Sequence, residues 1–314
     1  MARARVLLPA LVVPLRRIIR ADLSSIVTPS SLLIGSILAE SGVTARHSFD
    51  NLKRCIRISQ AGKSDRHPLR LNSFELCVAG LAGMTLSPSI RIESLTTSAR
   101  YAKGAVVIID VFRAFTTAAI ALSNGAAAIV MVDDVTSALI LRERGVGKVC
   151  IGGRRGLKPT GFEFGNSPHE IRNTSFSGDI VIQTTSNGTK GIVAARGASC
   201  LYAASFVNAA ATVRAIQKSG EQEVWLIAAG DGPVRAEEDE ICALYLRALL
   251  QGRSPDHDTI RSAVGTLSPR LDGQTLSAED FAACLEVDAT PLAIQVEQTE
   301  GLLVARGVRA EGKS

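Results

Sequence analysis

The sequence predicts an α/β fold, a mostly parallel sheet flanked by helices on both faces, with a helical C-terminal part. Three observations carry this. The chain has 314 residues, 46% of them hydrophobic and 21% charged, so it can build a sizeable core and is too apolar for global disorder. From about residue 104 short apolar runs alternate with helical stretches. Those runs are continuously apolar, which is the signature of strands covered on both faces.

Taken in order, AVVIID (105–110) is a β-branched strand, and Phe115 to Ser123 is a helical stretch closed by Asn124-Gly125. AAIVMV (127–132) is the next strand, followed by a helix from Thr136 to Arg144 that Gly145 ends. KVCI (148–151), DIVIQT (179–184), CLYAA (200–204) and EVWLIAA (223–229) continue the series, the last three each followed by a helical segment. Beyond residue 255 the chain reads as more helical, with one late strand around Pro291 to Val296. No internal repeat is visible.

The charge is uneven. Residues 1–83 hold 12 Lys/Arg against 5 Asp/Glu, a net +7, whereas residues 84–314 hold 23 against 25 and are close to neutral. The first segment, rich in Arg and Ser and without sustained periodicity, reads as a basic N-terminal extension, poorly ordered or an over-long start, and Met84 stands directly before the regular pattern. The folded domain is expected to span 84–314. With the body neutral and aromatics at 4%, a nucleic-acid partner loses its support. The longest apolar candidate, Val6 to Leu15, is interrupted by Pro9 and Pro14 and is too short to span a membrane. Six scattered cysteines without a CxxC argue against a disulfide framework or a zinc site, and for a reducing, cytoplasmic setting.

In open α/β sheets ligands bind outside the carboxyl ends of the strands. Here those ends are polar. The first of these strands ends in Asp110, with Arg113 three residues on; the third runs into Gly152-Gly153-Arg154-Arg155-Gly156 and a long polar loop, 161–170. The next ends in Thr184-Thr185-Ser186-Asn187-Gly188-Thr189, and the last clear one in Gly230-Asp231-Gly232, leading to Glu237-Glu238-Asp239-Glu240. A TTSNGT segment opening a helix offers N–H groups and hydroxyls to an anion, although such residues are in the first instance N-caps. Arg113, Arg154 and Lys190 supply cations. Asp110 with Glu238 and Asp239 supplies hard oxygen ligands of the kind that suit Mg²⁺ bound beside a phosphate. Other chemistries lack their residues. A DxD nucleophile needs an acid where Phe112 stands, a cysteine phosphatase needs Arg where Gly156 follows Cys150, and a phosphate loop ending in AGKS needs Gly where Arg57 stands.

IDVFRAFTTA (109–118), GLKPTGFEFGNSP (156–168), TTSNGT (184–189) and the AG…ED…CA pattern (229–243) together resemble the 2-phosphosulfolactate phosphatase family. The resemblance spans about 104–245. It implies a Mg²⁺-dependent phosphatase that converts 2-phospho-3-sulfolactate to 3-sulfolactate and phosphate, a step towards coenzyme M. The expected site then has Asp110, Arg113 and Arg154 as catalytic residues, and the metal on Asp110 with one or both of Glu238 and Asp239. Thr184, Thr185, Asn187, Gly188 and Thr189 would hold the phosphate, and Glu163 and Asn166 would line the long loop beside it. The expected partner is a small anionic phosphorylated substrate, with neither nucleic acid nor membrane involved and a homo-oligomer left open. The chain departs from the family pattern at Gly153, where an acid is expected, and at Arg155, an added cation. Phe115, Ser186 and Leu244 are further departures. They leave two rival readings, a phosphatase for another small phosphorylated acid and a non-catalytic anion-binding relative.

Overall fold

A computed structural model describes residues 88–267, 270–271 and 274–309; the basic segment 1–83 lies outside them. The strands are β1 (Ser89–Ser94), β2 (Ala105–Ile109), β3 (Ala128–Met131), β4 (Val149–Gly152), β5 (Ile180–Thr184), β6 (Cys200–Ala204) and β7 (Glu223–Ala228). Two short strands, β8 (Arg270–Leu271) and β9 (Gln274–Thr275), pair with each other, and β10 (Leu292–Thr299) and β11 (Leu302–Arg309) form a long hairpin. The α-helices are α1 (Ala114–Ser123), α2 (Val135–Glu143), α3 (Pro168–Ile171), α4 (Gly188–Ala194), α5 (Ala209–Ser219), α6 (Glu237–Leu250), α7 (His257–Gly265) and α8 (Ala278–Cys284).

Nine strands form one mixed sheet in the order β1-β7-β2-β6-β10-β11-β3-β5-β4. The first four and the last three pair in parallel, as the strand–helix alternation predicts. All five residues of β2 are buried because β7 and β6 flank it and helices cover both faces. Val106 and Ile108 point into one apolar cluster with Phe115 and Ile192, and Val107 and Ile109 into another with Leu226, Tyr245 and Leu246. Burial of such side chains stabilises by roughly 1.5–3 kcal/mol each.

The helices begin and end where their sequences provide for it. Asp134 caps α2 by accepting from the Ser137 amide at 2.8 Å, Ser167 and Ser277 cap α3 and α8, and left-handed Gly220 closes α5. Eight of the ten α1 residues are buried, so this helix is apolar all round because it is enclosed all round.

Two features differ from the expectation. β1 is an edge strand whose exposure alternates, so SIRIES lacks the continuous apolar run that marks the others. The C-terminal part is helical only as far as α8. Its last described residues, 292–309, run antiparallel to β6 on one side and to β3 on the other, in the middle of the sheet. Glu300 and Gly301 are both left-handed, which is the geometry of a two-residue hairpin turn.

Candidate active site

A pocket of about 390 Å³ of open space lies where β2, β4, β5 and β7 run out, and Asp110, Asn166, Asn187 and Asp231 are among its lining residues. In the sheet order β6, β10, β11 and β3 separate β2 from β5. Their ends still converge because α4 crosses back onto β2. Two glycines permit the approach. A Cβ on Gly191 would stand 2.8 Å from Ile108 Cγ2, and one on Gly188 would stand 2.7 Å from Asp110 Oδ2.

Asp110 lies at the centre of this convergence. It is buried, its Oδ1 accepts from the Ala114 amide at 3.0 Å, and the Gly188 amide bonds it as well. The carboxylate therefore ties the start of α1 to the start of α4. Burial pushes its pKa up to about 6, those two amides work against the rise, and the nearby Asp231 charge adds to it. Glu238, half-buried at the start of α6, is pushed up to about 7 by its own burial, with Asp110, Asp231 and Glu237 contributing. Asp239 is raised well above the ordinary range, first by burial and then by Asp110 and Glu238.

Asp239 differs from Glu238 in what it holds. Its Oδ1 accepts from the Val111 amide at 2.8 Å and its Oδ2 from the Gly230 amide at 3.0 Å. It braces the ends of β2 and β7 against each other. Across the pocket, Thr185 and Thr189 fold the 185–189 loop reciprocally, with the Thr185 amide donating to Thr189 Oγ1 at 2.9 Å and the Thr189 amide to Thr185 Oγ1 at 3.2 Å. Asn187 reaches over to the turn after β7, donating to Asp231 Oδ1 at 3.2 Å and accepting from the Gly232 amide at 3.0 Å.

Arg113 lines the pocket and is ion-paired with Asp280 at the start of α8. The other Asp280 oxygen accepts from Ser167 Oγ at 2.7 Å and the His169 amide at 3.0 Å, so one carboxylate positions both the arginine and the loop carrying Asn166. Phe281 packs on Phe112 with ring centroids 5.5 Å apart. Arg113 Nε and Asn166 Oδ1 are buried without a partner among the described residues. Groups of this kind beside a pocket are ready for a polar ligand.

The structure thus brings Asp110, Arg113, Asn166, Thr185 and Asn187 to one pocket, with Gly188 directly behind Asp110. Thr184, Arg154 and Glu163 are placed otherwise. Arg154 donates to Thr184 Oγ1 and to the Asp133 carbonyl, both at 2.6 Å, and joins the ends of β3 and β5. Glu163 accepts from Arg142 at 2.6 Å and from the Cys150 amide at 2.7 Å, pinning the long loop along β4. Asp231, Ser186 and Gly153 line the pocket without having been singled out as site residues. Asp231 could have been found by the rule that found Asp110, since both follow a strand end. A Cβ on Gly153 would stand 3.2 Å from Asn166 Cβ, so the wall here is bare backbone.

Among the described residues no three His, Cys, Asp or Glu side chains converge as a metal-holding group. Mg²⁺ commonly takes only one or two carboxylates and completes its shell with water and phosphate oxygens. The donor set fits that mode. Asp110 and Glu238 are hard oxygen donors, each raised first by burial, Asp110 further by the Asp231 charge and Glu238 further by the Asp110 charge, and a divalent cation would relieve both.

The family model described as 2-phosphosulpholactate phosphatase matches residues 90–283. The chain belongs to the 2-phosphosulpholactate phosphatase family. The matched span runs from β1 through α8, so it includes Asp280 and stops short of the β10–β11 hairpin. Among relatives, a probable 2-phosphosulfolactate phosphatase of Thermus thermophilus is 35% identical over 212 residues, covering 64% of this chain and 88% of that protein. One from Thermoplasma volcanium is 31% identical over 182 residues, or 58% and 84% of the two chains. One from Thermotoga maritima is 39% identical over 137 residues, or 44% and 58%.

Proposed function

We propose that this protein is a Mg²⁺-dependent phosphatase acting on 2-phospho-3-sulfolactate, on the route to coenzyme M. Family membership supports the reaction class. The observation that carries the reading is the pairing, across one pocket, of a buried carboxylate at the end of β2 with the polar Thr185-Ser186-Asn187 loop that opens α4. Asp110 and Glu238 would hold Mg²⁺, which supplies Lewis-acid polarisation of the phosphoryl group. The 185–189 loop and Arg113 bind and orient the phosphate, and Asp280 fixes the arginine. In the hydrolysis a water oxygen bonds to phosphorus, the bond from phosphorus to the C2 oxygen breaks, and a proton from the water ends on that oxygen. Asp239 keeps the Val111 and Gly230 amides in place around Asp110. The four described cysteines are free, in keeping with a cytoplasmic setting.

The test is phosphate release from 2-phosphosulfolactate with Mg²⁺ and then with EDTA. Release that needs the metal and disappears in Asp110→Asn is the expected result. Release untouched by either change would remove Asp110 and the metal from the reaction. The bare wall at Gly153 favours a second reading, a phosphatase for another small phosphorylated acid. A panel of such acids, giving better turnover than 2-phosphosulfolactate, would select it.

A further inference from the structure

The loop after β4 makes a two-residue turn at Arg155-Gly156, closed by backbone hydrogen bonds between Arg154 and Leu157 at 2.9 and 3.0 Å. Both turn residues are left-handed, with φ 52° at Arg155 and 74° at Gly156. A glycine adopts that conformation freely, whereas an arginine is disfavoured there. Non-glycine residues held in such a conformation are a reason to look for a use. The tip of the turn is tied to the pocket, because the Arg155 amide donates to Ser186 Oγ at 3.3 Å. Ser186, Gly153 and Gly156 all line the pocket, so Arg155 stands at its rim among three lining residues.

Its charge is unspent. Arg113 is paired with Asp280, and Arg154 is turned onto Thr184 and the Asp133 carbonyl. The Arg155 side chain is exposed, and no carboxylate pairs with it among the described residues. The pocket itself is lined by Asp110 and Asp231. Among the described residues Arg113 is the one cation in that lining and is already shared with Asp280, so a second anionic group of a ligand would meet those carboxylates with no free cation but one at the mouth.

We propose that Arg155 is a specificity-determining residue, whose guanidinium takes a second, non-phosphoryl anionic group of the substrate at the rim while the phosphate lies at the 185–189 loop. A planar guanidinium suits a carboxylate or a sulfonate in bidentate fashion. The proposal rests on the phosphatase reading for its substrate, and its test separates the two.

Arg155→Gly suits the left-handed backbone, so its fold is not at risk, and Arg155→Lys keeps the charge without the fork. Full-length wild type and both variants are assayed on 2-phosphosulfolactate and on p-nitrophenyl phosphate, which has no second anion. In Arg155→Gly the ratio of kcat/KM between the two substrates falls about fivefold, carried by KM, and Arg155→Lys recovers part of it. An unmoved ratio, or a fall carried by kcat, overturns the proposal. If the wild type hydrolyses neither ester, the phosphatase reading fails and titration calorimetry with 3-sulfolactate and inorganic phosphate decides for Arg155. Weaker 3-sulfolactate binding in Arg155→Gly, with phosphate affected much less, supports the role. Equal losses, or no binding of 3-sulfolactate by the wild type, overturn it.

Discussion

Gly188 has no side chain because Asp110, Ala114 and Phe115 occupy the space one would need, with contacts of 2.7, 2.9 and 3.1 Å to an added Cβ. Two of those neighbours are packed α1 residues and the third is the central carboxylate. Gly188→Ala therefore pushes α4 away from Asp110, and we expect turnover to fall on the order of 10²-fold while the circular dichroism spectrum stays close to wild type. Activity within twofold of wild type would show that the loop and the carboxylate need not touch. Asp110 itself was legible in the sequence, since an aspartate ending an apolar strand is out of place unless something uses it. Asp280 was not. Its contact with Arg113 crosses 167 residues, and Ser277-Ala278-Glu279-Asp280 reads locally as nothing more than a helix start. Arg154 and Glu163 show the converse. A charged residue near a strand end can be spent on holding loops, and only partners reveal which.

At the scale of elements, α8 reaches the site without belonging to the strand–helix series. It brings Asp280 to Arg113 and Phe281 to Phe112. Asp280→Ala frees the arginine, leaves Ser167 and the His169 amide without their acceptor, and is expected to raise KM about tenfold or more. Asp280→Asn keeps an acceptor for that loop and should recover part of the loss; equal KM values in the two variants would reduce Asp280 to a packing residue. All the strands of the parallel halves but one were legible because each is a continuous apolar run. β1 was not, because an edge strand with alternating exposure carries no such run. The hairpin was half legible. Its first strand showed around Pro291 to Val296, but LLVARGVR mixes arginines and a glycine into the second, and only the turn at Glu300-Gly301 announces it.

For the whole molecule, the carboxylates around Asp110 couple ionisation to stability. Folding raises Asp110 from the ordinary 3.8 to about 6 and Glu238 from 4.5 to about 7. These acids hold protons more tightly folded than unfolded, so their contribution declines as the pH climbs through that window. In EDTA-treated protein the melting temperature should fall between about pH 4.5 and 7.5, counter to the usual effect of salt-bridged acids. Mg²⁺ should raise it more at pH 7.5 than at pH 5.5, since only the ionised carboxylates attract the ion. Calorimetric scans across that range check both, and a melting temperature that Mg²⁺ leaves unmoved at pH 7.5 would count against a cation between Asp110 and Glu238.

The position of the β10–β11 hairpin in the sheet also sets an order of assembly. Strands β6 and β3 do not pair with each other; residues 292–309 stand between them. During synthesis the two parallel halves must wait for the last part of the described chain before they can share a sheet. Until it emerges, β6 and β3 each present an unpaired edge, the kind of surface on which chains join one another. A chain stopped at residue 290 should therefore aggregate rather than merely lose stability, and adding residues 291–314 as a separate peptide during refolding should restore soluble protein. A soluble, monomeric product from the shortened chain would show that the halves can close without their insert.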